Sequence, residues 1–237
     1  MLLQAALNGD RTRAEHLAVP LTAADLARDA AACVAEGAGA IHLHPRDRRG
    51  EESLRATVVD AVVAEVREAC RVPVGVSTGA WIEPDLDRRV SLVRAWRAPD
   101  YASVNVSEPG APRIMEALLA AGVGIEAGVW SVPDAQRLAD SGYADRVTRV
   151  LVEPVDAPAA TAVATVAAIH DALDALGIGA PRLQHGDGAA AWVLIADAVA
   201  RGIDTRVGLE DTVNAPDGVR AAGNAALVAA ARALGAG

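Results

Sequence analysis

The stretch Ala40-Ile41-His42-Leu43-His44-Pro45-Arg46-Asp47 alternates apolar and imidazole side chains, the pattern of a short β-strand. His42 and His44 fall on one face, with Ile41 and Leu43 on the other. Two imidazoles side by side on a rigid element make half of a transition-metal site, and zinc would need one or two further N, O or S ligands. The plain alternative is a pair of histidines filling a polar rim. The far end of the chain offers a third ligand, because Arg206-Val207-Gly208-Leu209-Glu210-Asp211 reads as an apolar strand ending in carboxylates. In a closed barrel the last strand comes near the second.

Outward from that stretch, short apolar runs alternate eight times with longer alanine-rich amphipathic segments. Strands are predicted near 2–8, 40–45, 72–78, 101–106, 122–129, 147–153, 182–186 and 203–210. Helices are predicted near 22–37, 53–70, 85–97, 111–121, 133–141, 158–176, 189–201 and 217–234. Thr22 followed by Asp25, Ser53, and prolines 84, 112, 133 and 158 mark helix starts; glycines 37, 122, 142, 177 and 202 mark stops. Eight uninterrupted βα units predict a (β/α)8 TIM barrel of nearly minimal size, with a doubly wound open sheet as the rival. A single domain over 1–237 is expected, since no linker or low-complexity tract interrupts the alternation. The longest stretch without clear structure, Gly9 to Leu21, would lie over the barrel mouth as a lid.

Composition narrows the chemistry. With 237 residues and 52% hydrophobic content, the chain can bury a sizeable core. A net charge of −9 without a basic cluster argues against nucleic acid or an anionic membrane as partner. No apolar run reaches transmembrane length and the first residues lack a signal-peptide pattern, so a cytoplasmic setting is expected. Cys33 and Cys70 read as small core residues. All 22 basic residues are arginine. Without a lysine amine, Schiff-base aldolase, P-loop and pyridoxal chemistry are excluded. Breaking a carbon–carbon bond would then require a metal or hydrogen-bond donors to polarise the carbonyl.

In such barrels the reactive groups collect at the C-terminal ends of the strands. Asn8, His42, His44, Arg46, Asp47, Ser77, Thr78, Asn105, Ser107, Glu108, Glu153, His185, Asp187, Glu210 and Asp211 fall at or near predicted strand ends of that kind, and Glu126 lies on the fifth strand. His16 and His170 are read as a loop and a helix-surface residue. The asymmetry between the two ends of the strands favours function over a solvated rim.

Taken in order, His42-Leu43-His44-Pro45-Arg46-Asp47, Ser77-Thr78-Gly79, Ser103-Val104-Asn105, Glu126, Gln184-His185-Gly186 and Arg206-Val207-Gly208-Leu209-Glu210-Asp211 resemble the β-keto acid cleavage enzymes, typified by 3-keto-5-aminohexanoate cleavage enzyme. The resemblance runs over essentially the whole chain. It implies a zinc enzyme that takes a β-keto acid and acetyl-CoA and gives acetoacetate and a new acyl-CoA. It also implies His42, His44 and Glu210 as metal ligands, and Arg206, Asp211, Ser77 and Glu126 as active-site residues. The opening Leu7-Asn8-Gly9-Asp10-Arg11 departs from the family's threonine-glycine and acidic residue, which leaves the substrate's far end open.

Within that frame, a three-ligand zinc keeps an open position for the keto oxygen and carboxylate. Asp211 is the expected base for the proton between the two carbonyls. Arg206 would orient it or clamp a carboxylate. Ser77 or Thr78 would donate to the thioester oxygen or cap the third helix, Glu126 would assist proton transfer or bind an outer-shell water, Asn8 and Asn105 would line the substrate, and His185 would join them or sit as a satisfied core histidine. A homo-oligomer is expected. Two other classes stay open: a metal-dependent hydrolase of the amidohydrolase type, and a catalytically inactive binding barrel.

Overall fold

The computed structural model describes residues 1–237 as eight parallel strands closed into a barrel, β1 to β8 in chain order, with β8 pairing back to β1. The strands are β1 (Leu3–Ala6), β2 (Ala40–Leu43), β3 (Val74–Ser77), β4 (Tyr101–Asn105), β5 (Gly124–Val129), β6 (Arg149–Val152), β7 (Arg182–Gln184) and β8 (Asp204–Val207). Helices α1 (Ala23–Ala35), α2 (Ala56–Cys70), α3 (Leu86–Arg94), α4 (Ala111–Ala121), α5 (Val132–Asp140), α6 (Ala159–Ala175), α7 (Ala191–Arg201) and α8 (Asn224–Ala233) return the chain outside it. This is the (β/α)8 TIM barrel read from the alternation. No helix is long and apolar enough to cross a membrane.

Local signals explain why the helices begin and end where they do. Thr22 caps α1 with a full capping box to Asp25, worth about 1 kcal/mol. Gly122 and Gly202 end α4 and α7 in left-handed conformations. The main apolar core lies between strands and helices, where outward strand residues such as Ile41, Leu43, Val76 and Val207 meet the buried faces of helices such as α1 and α2. Cys33 and Cys70 are buried free thiols in that layer.

Inside the barrel, Gln4 Nε2 donates to Tyr101 Oη at 3.1 Å and to Glu126 Oε1 at 3.0 Å. Arg149 Nε reaches the same Glu126 oxygen at 3.1 Å. These groups form a polar plug inside the barrel.

Four expectations need correction. β8 stops at Val207, and Gly208 to Asp211 form a turn, with Asp211 N and Thr212 N donating to Gly208 O at 3.0 and 2.9 Å. A Cβ on Gly208 would lie 1.8 Å from Ala6 O, so only glycine lets this turn press against β1. Helices α2 and α8 start later than read, at Ala56 and Asn224: Ser53 N instead donates to Pro45 O at 2.9 Å beside the Arg46–Glu52 bridge, and the chain before α8 runs through turns and bends. The Gly9 to Leu21 segment is tied down at several points: Arg46 Nη2 donates to Gly9 O and Arg11 O, both at 2.9 Å, and His16 Nε2 meets Ala221 O at 2.9 Å. His170 faces inward from α6, with Nε2 at 2.8 Å from Gln184 Oε1, so it is a satisfied buried histidine.

Candidate active site

A cavity of about 310 Å³ opens at the C-terminal ends of the strands. Its β1–β2–β8 wall carries His42, His44 and Glu210. Glu210 Oε1 lies 3.7 Å from His42 Nε2 and 3.6 Å from His44 Nε2. A tetrahedral ion with arms of ~2.1 Å has ligand–ligand edges of about 3.4 Å, so these spacings fit one ion. Glu210 Oε2 and His42 Nδ1 are buried without partners. These three side chains form the group of ligand-type atoms able to converge on a metal.

The electrostatics suit a cation. Burial pushes His42 down to about 3, which keeps it neutral as a ligand must be. Burial also disfavours charge on His44, but the Glu210 and Glu52 carboxylates outweigh it and lift the ring to about 9, so a metal taking this ring as ligand would displace a proton from it. His44 Nδ1 contacts Glu52 Oε1, and Trp81 Nε1 donates to Glu52 Oε2 at 3.1 Å. Trp81 stacks on His44 with ring centroids 6.1 Å apart. A carboxylate behind a ligating histidine fixes its tautomer and raises its basicity. Glu52→Gln is therefore expected to weaken metal binding by about 10–100-fold, read by competition against a chromophoric chelator.

Beside this set, Arg206 is buried and holds both carboxylates of the β8 turn. Its Nη2 donates to Glu210 Oε1 at 2.8 Å and to Asp211 Oδ1 at 2.6 Å, and its Nε reaches Asp211 Oδ2 at 3.1 Å. Glu210 is driven well below the usual carboxylate range: burial opposes ionisation, but Arg206 and the two histidines prevail. Asp211 moves upward because burial outweighs Arg206. One anion is thus held for coordination, while its neighbour takes up a proton more readily.

Ser77, Ser103 and Asn105 line the β3–β4 flank. Ser77 Oγ accepts from Gly79 N at 3.2 Å, leaving its hydrogen free to donate. Asn105 Nδ2 donates to Glu108 Oε1 at 3.0 Å, which turns its amide nitrogen away and leaves Oδ1 for other contacts. Across the cavity stand Trp130, Glu153 and His185. Trp130 Nε1 donates to Glu153 Oε1 at 2.8 Å, and His185 Nε2 lies 2.7 Å from Glu153 Oε2.

Three residues given a catalytic or substrate-binding role from the sequence stand outside the cavity wall. Asn8 exchanges two 2.9 Å hydrogen bonds with the backbone of His44, so its amide braces β2 against β1. Thr78 Oγ1 donates to Ser103 O at 2.7 Å and is spent on the next strand. Glu126 belongs to the plug below, where burial raises it to about 7 against the pull of Arg149 and Arg206. Asp47 and Arg46 serve structure: Asp47 pairs with Arg55 at 3.0 Å and Arg46 holds the β1 loop. Sequence reading overlooked Glu52, Trp81 and Trp130 and gave Glu153 no role. The two tryptophans, among four in a chain without phenylalanine, were the available signal.

By fold the chain is similar to apo ObcA, with a TM-score of 0.72 and 18% identity, covering 91% of this chain and 61% of that one. The ternary complex of ObcA with C4-CoA adduct and oxalate gives a TM-score of 0.72 at 18% identity, covering 91% and 63%. A 3-dehydroquinate dehydratase from Geobacillus kaustophilus HTA426 also superposes, with a TM-score of 0.64, 11% identity, and coverage of 98% and 89%. The chain thus spans about three-fifths of ObcA, from 61% to 63% of its length, and at these identities the likeness is one of fold. The beta-keto acid cleavage enzyme model matches residues 1–236, and the chain belongs to that family.

Proposed function

We propose that the cavity binds a β-keto acid at a zinc ion held by His42, His44 and Glu210 and, with acetyl-CoA, converts it to acetoacetate and a new acyl-CoA. The observation that carries this reading is the convergence of those three ligand atoms beside the Arg206–Asp211 pair in one cavity. Family membership supports the keto acid, and the C4-CoA adduct bound by ObcA supports a thioester partner. A divalent metal in this set supplies a Lewis acid for the keto oxygen and carboxylate of the acid.

The chain's own residues do the rest. Asp211 removes the C2 proton, and Arg206 holds that carboxylate at the site edge with its fixed fork of donors. The C2 carbanion adds to the acetyl carbonyl, whose developing oxyanion the Ser77 hydroxyl can meet, and CoA leaves as the thiolate. The thiolate then adds to the original keto carbon. Breaking the C2–C3 bond leaves the acyl-CoA and a C2 carbanion, which takes the proton back from Asp211 to give acetoacetate. Ser103 and Asn105 border the substrate on one side and His185 on the other, while Asn8, Thr78 and Glu126 keep the walls in place from behind. Assembly into a homo-oligomer and a cytoplasmic setting belong to the same proposal.

With no lysine to form an imine, acetoacetate is expected only when acetyl-CoA and a suitable β-keto acid are supplied together. A panel of β-keto acids with neutral, cationic and anionic ends, assayed with and without acetyl-CoA, tests this. Cleavage at the same rate without the thioester would assign the metal to hydrolysis or retro-aldol chemistry instead.

A further inference from the structure

The wall opposite Ser77 carries a polar chain to which the acyl exchange as written gives no chemical step. His185 is only 4% exposed, and its Nδ1 is buried without a hydrogen-bond partner. Its Nε2 sits 2.7 Å from Glu153 Oε2, and the other Glu153 oxygen accepts from Trp130 Nε1 at 2.8 Å. A carboxylate on Nε2 places the proton of a neutral imidazole on that nitrogen and leaves Nδ1 as a lone pair. Asp211 Oδ1 is 3.8 Å from that lone pair.

A buried acceptor without a partner costs about 1–3 kcal/mol, which favours a use for Nδ1 in the liganded state. Asp211 provides one. Both of its oxygens face the Arg206 guanidinium, at 2.6 to 3.2 Å. Because that guanidinium stays charged, a carboxyl that has just taken a proton loses its ion-pair partner's attraction. The imidazole beside it is placed to take the proton and restore the pair.

We infer that His185 Nδ1 shares with Asp211 the proton that leaves C2 of the β-keto acid, and that Glu153 is the positioning residue that orients the ring. The inference rests on the proposed deprotonation at C2. The C–H electron pair stays on the substrate as the carbanion, while the proton passes to Asp211 and on to Nδ1. Glu153 balances the imidazolium. The same proton returns to the carbanion freed by C2–C3 cleavage, so nothing is oxidised or consumed. Hydrogen-bond contact requires the 3.8 Å gap to close by about 1 Å, and such contacts commonly tighten once substrate is bound.

Exchange of the C2 hydrogens of acetoacetate into D2O, followed by NMR on metal-loaded protein without thioester, isolates the proton step. His185→Gln is expected to slow exchange at saturating acetoacetate about 100-fold with metal content kept. Glu153→Gln should slow it about 10-fold, since the ring remains but its tautomer is no longer held. Free imidazole should restore exchange to His185→Ala and leave the parent rate unchanged, a response that a packing role would not give. Parental exchange by metal-loaded His185→Gln, or loss of metal from it, overturns the inference. Absence of exchange above the buffer rate in the parent protein overturns the proposed function itself, and this inference with it.

Discussion

Replacing His42 and His44 together by alanine is expected to abolish stoichiometric zinc binding and to lower β-keto acid turnover by about 10³–10⁴-fold. A Lewis acid supplies several kcal/mol of charge stabilisation, and each 1.36 kcal/mol is a factor of ten. The variant leaves Glu210 with Arg206 Nη2 at 2.8 Å, so its carboxylate keeps a partner and the β8 turn keeps its anchor. The fold should therefore survive, as far-ultraviolet circular dichroism would show, while elemental analysis finds no metal. Normal metal content in the double variant would mean that the ion sits elsewhere and that the 3.6 and 3.7 Å convergence is incidental.

The barrel was readable because each level of the sequence agrees with the next. Helix-period segments carry Thr22-type starts and Gly122-type stops, and the apolar runs between them are too short for anything but strands. The His42/His44 face was readable for the same reason, since strand alternation settles it without tertiary information. Glu210 was found for a partly wrong reason. The sequence reads as a strand running on to its carboxylates, yet the strand ends at Val207 and the Glu210 carboxylate arrives on a turn. What permits that turn is the contact of Gly208 with Ala6 O, a pairing between the first and last strands that no local pattern reveals.

The supporting residues were illegible on the same physical ground. Glu52 and Trp81 lie on different loops and meet only because both flank the His44 ring. Glu153, Trp130 and His185 come from three neighbouring strand ends, β6, β5 and β7, and local periodicity is silent on which polar tips meet. Conversely, Asn8 and Thr78 carry the right chemistry at the right ends of their strands, but backbone acceptors beside them take up their donors first. Residue type and strand position therefore identify a candidate; the nearest unpaired backbone group decides whether its side chain is free.

The sharpest separation concerns two adjacent carboxylates that share one guanidinium. Glu210→Gln replaces an anionic ligand by a neutral one, and its effect on metal affinity should exceed the roughly 10–100-fold typical of an outer partner. Asp211→Asn leaves all three ligand side chains in place. Its metal content should be normal, whereas kcat should fall by a factor on the order of 10²–10⁴, as expected for loss of a general base. The opposite proton preferences of the pair point the same way: Arg206 and the histidines hold Glu210 ionised, while burial raises Asp211. Metal content and kcat measured on both variants decide the matter. If Asp211→Asn loses the metal and Glu210→Gln keeps it, the turn after Val207 presents Asp211 to the histidines, and the base is the residue before it.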